Sequence, residues 1–349
     1  MKVTYLAASA VGFALLFSGS ASAHTGGAVY TQTNALTGNA VHRLDRGPDG
    51  SLTPVAAYRT GGRGTGEGLG SQGAVALSDD GRVLIAVDAG SNDVAAFRVT
   101  GDGHLTLADR KPSGGVMPVS ADIADGSVYV LNAAGASPNV AAFDVDRHGR
   151  LRSRSVRPLA PGAAGAAQVS VAPDGRSLVV TEKMSNRLET LPLRHGRPGA
   201  PVVTASAGAV PFGFAFSPRG DLVVSEAGAS TVSSYRKGRA ITAALPVGQA
   251  AACWVAIDAK GRFAYTGNAS GSISGFAIKS DGSLRALDAD GLTAAAPRPN
   301  DLAFAGAYLY AVNPAAGSIT AYKQRKDGSL QPLPGAGDLG AGLAGLAVR

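Results

Sequence analysis

Six near-copies of one strand-rich phrase, tight Asp-Gly turns inside the copies, and an incomplete copy at each end predict an all-β ring, a seven-bladed β-propeller of four-stranded antiparallel blades. The clearest copy is AVALSDDGRVLIAVDAGSNDVAAFRVTGDGHLTLADR. Its first strand ends at Asp80-Gly81, and the second, VLIAVD, ends at Asp88. A loop through Ser91-Asn92 leads to the third strand, VAAFRV, and the turn Gly101-Asp102-Gly103 leads to the fourth, HLTLADR. Short runs rich in Val, Leu, Ile and aromatics suit strands, and Gly accepts the positive φ that tight hairpins impose. Further copies start near Val119, Gln168, Phe212, Trp254 and Asp301, with second strands VYVLN (128–132), LVVTE (178–182), LVVSE (222–226), FAYTG (263–267) and LYAVN (309–313). The chain from Ala28 to Arg59 supplies second, third and fourth strands without a first. AGLAGLAVR (341–349) is a first strand with nothing after it, so joining the two ends completes the seventh blade and leaves no open sheet edge along the ring.

Composition agrees. The 48 Gly and 19 Pro work against long helices, while a 45% apolar content supports a substantial core. Charged residues make up 16%, below the roughly 25% usual for globular chains, which argues against a disordered polyelectrolyte. A net charge of +7 without a long Lys/Arg run gives no reason to expect a nucleic-acid partner. At the N-terminus Lys2, the apolar run Val3–Phe17 and Ala21-Ser22-Ala23 read as a signal peptide, residues 1–23, cleaved before His24. The expected mature product, 24–349, is a single-domain monomer, secreted or periplasmic, with no membrane span after cleavage. Cys253 is the only cysteine, so it can form no disulfide within the chain and reads as a small buried hydrophobe.

Meander topology puts first-to-second and third-to-fourth turns on one face of the ring, the hairpin face. Second-to-third loops and blade-to-blade links share the other, the loop face. Asp80-Gly81, Asp174-Gly175, Asp281-Gly282 and Asp327-Gly328 fall on the hairpin face and read as structural. Polar residues gather on the loop face: Asp88, Asn132, Glu182, Glu226, Asn268 and Asn313 at the ends of second strands, with Gln72, Gln168, Asn300 and Asp301 at the starts of first strands. A funnel lined this way suits a small ligand, although such residues also tie strand ends to backbone. Glu182 and Glu226 occupy equivalent positions in adjacent blades, and a close pair could hold one raised pKa and act as a general base on water. Lys183 and Arg187 could neutralise an anionic substrate or oxyanion, and Gln168, Asp88, Asn132, Asn268 and Asn313 complete the expected substrate-binding set. No Walker loop, G-x-G-x-x-G after a strand, H-E-x-x-H, G-x-S-x-G or C-x-x-C occurs, and the five His residues are dispersed, so neither cofactor nor metal is expected.

A turn of the Pro-Asp-Gly-Arg kind, then a strand ending in Asn or Glu, then a Gly/Ser-rich loop, recurs as in APDGRSLVVTEKMSN and FSPRGDLVVSEAGAS. The chain resembles, over essentially all of 24–349, the seven-bladed lactonase propellers, which include 6-phosphogluconolactonase and carboxy-muconate cyclase types. That resemblance implies lactone hydrolysis or isomerisation in the funnel. Family members place a Pro-His-x-His segment where this chain has Ala164-Gly165-Ala166-Ala167, and a Pro-Arg-His segment where it has Pro211-Phe212-Gly213. Glu226, after the second segment's strand, is retained. The lost His and Arg argue against an ordinary phosphogluconolactone. Two classes follow: an extracytoplasmic lactonase-like enzyme built around Glu182 and Glu226, or a non-catalytic propeller that binds a carbohydrate, small molecule or protein.

Overall fold

The computed structural model describes residues 26–349, so the expected signal peptide and its cleavage site lie outside the described residues. Seven antiparallel sheets form a ring, and no helix occurs among the described residues. Blade I joins Ala344–Val348 to Ala28–Gln32, Ala40–Arg46 and Leu52–Arg59. Its seam pairs Val29 with Val348 and Tyr30 with Ala347, as the split repeat predicts. Blade II comprises Val75–Leu77, Val83–Asp88, Asp93–Val99 and Leu105–Pro112; blade III comprises Val116–Ala124, Ser127–Ala134, Asn139–Val145 and Leu151–Pro158. Blade IV begins Ala166–Val171, Ser177–Glu182 and Arg187–Arg194; blade V is Pro211–Phe216, Leu222–Glu226, Thr231–Arg236 and Arg239–Pro246. Blade VI begins Ala252–Ile257, Phe263–Asn268 and Ser272–Ile278; blade VII is Leu302–Ala305, Tyr308–Asn313, Ser318–Gln324 and Leu330–Ala336.

Blades IV and VI keep the four-strand plan, with the fourth strand of each broken into two pieces that both pair with the third. In blade IV the pieces are Arg197–Pro198 and Val202–Ala205, separated by Gly199-Ala200-Pro201, where a proline without an N–H cannot continue the ladder. In blade VI they are Leu284–Ala286 and Ala294–Ala295. The intervening turn is held out by Thr293 Oγ1 donating to Asp288 at 2.5 Å.

The core lies between blades. One cluster packs Ile85, Val87 and Ala96 of blade II against Ile123, Val130 and Phe143 of blade III, and similar layers continue round the ring. Tyrosines staple neighbouring blades on the hairpin face. Tyr30, Tyr129, Tyr265 and Tyr310 lie at matching places on second strands, and each donates its hydroxyl to a glycine carbonyl in the third-to-fourth hairpin of the next blade. The acceptors are Gly103 (2.8 Å), Gly196 (3.4 Å), Gly328 (2.7 Å) and Gly50 (2.9 Å), so a large side chain fills each interface and its polar end is satisfied. No helix among the described residues is long and apolar enough to cross a membrane.

Candidate functional site

First strands touch one another all the way round and line the channel. Side chains of second strands therefore point toward neighbouring blades, and this places the polar residues at their ends. Asp88, Asn132, Glu182, Glu226, Asn268 and Asn313 are all buried. Each sits opposite the first residue of its blade's third strand: Asp93, Asn139, Arg187, Thr231, Ser272 or Ser318. Five bond that partner or its close neighbours. Asn132 donates to Asn139 at 3.1 Å, Asn268 to Ser272 at 3.0 Å and Ser274 at 2.8 Å, and Asn313 to Ser318 at 3.4 Å. Asp88 faces a like charge in Asp93 and instead accepts from Asn39 (2.9 Å) and Thr60 (2.7 Å). Burial outweighs those two bonds and pushes its carboxyl up to about 6.

Glu226 accepts from Thr231 Oγ1 at 2.5 Å, Ser233 Oγ at 2.6 Å, Gly208 N at 2.9 Å and Ser206 Oγ at 3.4 Å, a shell within its own blade and the link leading into it. Glu182 accepts from Ser185 Oγ, Ala164 N and Arg187 Nε (2.9 Å). Arg187 also reaches Glu189 at 3.0 Å and the carbonyls of Ala160 and Pro161. The carboxylate that shares a cation with Glu182 is Glu189, two residues along and on the same strand face as Arg187, while Glu226 is held by its own shell of donors. Burial and then the proximity of Glu182 push the Glu189 carboxyl well above its usual range. Arg187 is spent on this buried pair and on anchoring the link into blade IV.

The starts of first strands do more at the channel. Gln168 clamps blade IV to blade V, its amide exchanging two bonds with Phe214 backbone at 2.9 and 2.7 Å. Gln72 does the same across the ring with Val255 at 2.8 and 3.0 Å. Gly213 permits this approach, since a Cβ there would lie 2.2 Å from Gln72 Oε1 and 2.5 Å from the Cys253 carbonyl. Around Gln72 the whole link Leu69–Gly73 crosses the channel. Ser71 Oγ donates to Val119 O (2.8 Å), Trp254 Nε1 to Ser71 O (2.9 Å), Gln72 N to Ala167 O (3.2 Å) and Gly73 N to Asp301 (3.0 Å). Burial pushes the Asp301 carboxyl up to about 7. Asn300 contributes only backbone, donating to Val312 O at 2.6 Å. Blades III, IV, VI and VII therefore all hold one segment that closes the centre.

Lys183 stands at this closure. Its Nζ donates to Gly70 O and lies 4.7 Å from the centre of the Phe212 ring, which meets Trp254 edge-on at 5.4 Å. Burial lowers the Lys183 pKa and raises that of neighbouring Cys253 to about 12, leaving a neutral thiol beside a poorly solvated ammonium. Met184 is 78% exposed at the rim. An ammonium has three N–H groups, and Gly70 takes one, so two remain for an oxygen-rich or anionic ligand. Sequence reasoning found Lys183 but missed Phe212, Trp254 and the Leu69–Gly73 closure; the long glycine-rich stretch between Arg59 and Val75 was the available signal. Among the described residues no group of three or more His, Cys, Asp or Glu side chains is placed to hold a metal.

The family model described as Lactonase, 7-bladed beta-propeller matches residues 37–161 and 231–335. The unmatched stretch between them carries Glu182, Lys183, Arg187, Phe212 and Glu226. No curated protein matches. Among solved structures, a protein of Bacteroides fragilis provisionally named a 6-phosphogluconolactonase aligns at a TM-score of 0.75 and 16% identity, covering 94% of this chain and 99% of that one. The Pseudomonas aeruginosa periplasmic gluconolactonase PpgL aligns at 0.71 and 18%, covering 92% and 99%. A virginiamycin B lyase of Staphylococcus aureus aligns at 0.54 and 14%, covering 76% and 85%. At these identities the solved structures speak for the shared fold.

Proposed function

The chain belongs to the seven-bladed β-propeller lactonase family, and from that premise we propose that it opens a small lactone on the loop face, above the closed channel, with Lys183 binding the reacting carbonyl. The observation that carries this reading is the partly desolvated Lys183 ammonium, held by Gly70 over Phe212 with donors to spare. In hydrolysis, water oxygen bonds to the carbonyl carbon, the ring C–O bond breaks and the ring oxygen takes a proton, giving a hydroxy acid. Negative charge grows on the carbonyl oxygen during attack, and an ammonium in a weakly screened site stabilises it more than it stabilises the ground state. Glu182 and Glu226 then act through position: Glu182 fixes the loop that presents Lys183, and Glu226 fixes blade V, which supplies Phe212. The extracytoplasmic setting of this proposal rests on the Lys2, apolar-run and Ala21-Ser22-Ala23 pattern.

One observation favours the second reading, a non-catalytic propeller that holds a carbohydrate or similar small molecule: both expected carboxylates are enclosed by their own blades. A panel of aldonolactones and simple γ- and δ-lactones, followed by acid release in a pH-stat, separates the two. The lactonase reading expects turnover of at least one, reduced about 10²–10³-fold in kcat/KM by Lys183→Met. Turnover of none by the folded wild-type protein, or turnover indifferent to Lys183→Met, overturns it.

A further inference from the structure

Four of the seven interfaces carry the tyrosine staple, and among the described residues the one between blades IV and V has neither it nor a substitute. The second-strand position held by tyrosine in four blades is Ile85, Val179 or Val223 in blades II, IV and V. Elsewhere the gap is made good. Ser234, opposite Val223, donates to the hairpin carbonyl of Gly282 at 2.7 Å, and Ile241 packs there; Ala108 packs on Gly149 below Ile85's interface. Among the described residues no tyrosine or serine hydroxyl reaches Gly238, the corresponding hairpin glycine, which lines the same cavity as Val179. A Cβ built on Gly238 would meet nothing nearer than Thr204 Oγ1 at 4.0 Å, whereas one on Gly50, Gly103, Gly149, Gly196, Gly282 or Gly328 would have a neighbour at 3.0 Å or closer.

The result is a cavity of about 760 Å³, within the size range of small-molecule sites. Its walls are apolar, with Val179, Leu188, Phe216 and Leu222 inside. Arg219, Arg236 and Lys237 also line it. Buried Asp221 holds Arg219 at 3.6 Å and Arg236 at 2.7 Å, fixing the two guanidinium groups, while Lys237 makes no hydrogen bond or ion pair among the described residues. Asp174 is the one carboxylate among the lining residues, so with Asp221 behind the two arginines three cations are set against two acids. This site is on the hairpin face, away from Lys183, and does not depend on the lactonase reading.

We propose that the blade IV–V cavity binds an amphipathic organic anion, its apolar body taking the space of the absent tyrosine and its acidic group meeting Arg219, Arg236 and Lys237. The probe is 8-anilinonaphthalene-1-sulfonate, an aromatic monoanion, titrated by fluorescence into the folded protein. One saturable site is expected. Val179→Tyr restores the staple to Gly238 and should weaken binding at least tenfold, and Lys237→Glu should weaken it several-fold. Thr204→Phe fills the same space from the outer strand and serves if Val179→Tyr does not fold. Arg325→Glu, on the hairpin face between blades VI and VII, should leave binding unchanged. Absent or unsaturable binding by the wild type, or equal binding by both filled variants and Lys237→Glu, overturns the proposal.

Discussion

Asp88 shows how one residue acquires a pH dependence from its place in a blade. It ends a second strand, is fully buried, and one of its oxygens, Oδ2, has no hydrogen-bond partner. Because the folded carboxyl holds its proton up to about 6 against 3.8 ordinarily, the folded state binds more protons between those values, and stability falls as pH rises through that window. At roughly 1.4 kcal/mol per tenfold change in proton affinity, the loss is at most about 3 kcal/mol. Asp301, pushed up to about 7, acts in the same direction to a higher pH. Asp88→Asn keeps the acceptor used by Asn39 and Thr60, so thermal melting between pH 4 and 6 should become flatter than in the wild type; an unchanged slope would show that Asp88 does not carry the dependence. Glu226→Gln should lower the melting temperature, since an amide nitrogen would face the Thr231 or Ser233 hydroxyl or the Gly208 N–H, while leaving any lactone turnover within about threefold.

At the scale of elements, the link into blade IV is tied down by a cation between two acids. Arg187→Met keeps the apolar stem but leaves Glu182 and Glu189 buried without their shared charge, and removal of one partner from a buried ionic group typically costs about 3–5 kcal/mol. Chemical denaturation at pH 7 should register that loss, and a loss below about 1 kcal/mol would contradict the charge argument. This arrangement was half legible in the sequence. Repeating strand ends marked Glu182, but that Arg187 and Glu189 alternate onto one face of the third strand becomes informative only once Glu182 is known to pair with Arg187. Turns and strand ends were readable because each is decided by adjacent residues. The Leu69–Gly73 closure was not, because its path is set by partners in four other blades.

For the whole molecule, the ring depends on its seam. Deleting 341–349 removes the innermost strand of blade I, with buried Leu343, Leu346 and Ala347, and exposes the backbone of Ala28–Gln32. Melting should fall far more than for a point substitution, and an unchanged melting temperature would contradict the closure. The same closed ring explains why function was less readable than fold: interfaces between blades absorb the polar strand ends that a flat reading assigns to the funnel, and leave Lys183 at the centre. The pH dependence of kcat/KM on a lactone that the protein turns over, corrected for spontaneous hydrolysis between pH 4 and 9.5, tests that assignment most directly. If the Lys183 ammonium is the group that matters, activity is flat on the acid side and falls on the alkaline side, through a pKa below the ordinary 10.5 of lysine. A profile that instead rises through an acidic limb, and loses that limb in Glu226→Gln or Glu182→Gln, would contradict it and return the chemistry to a carboxylate base.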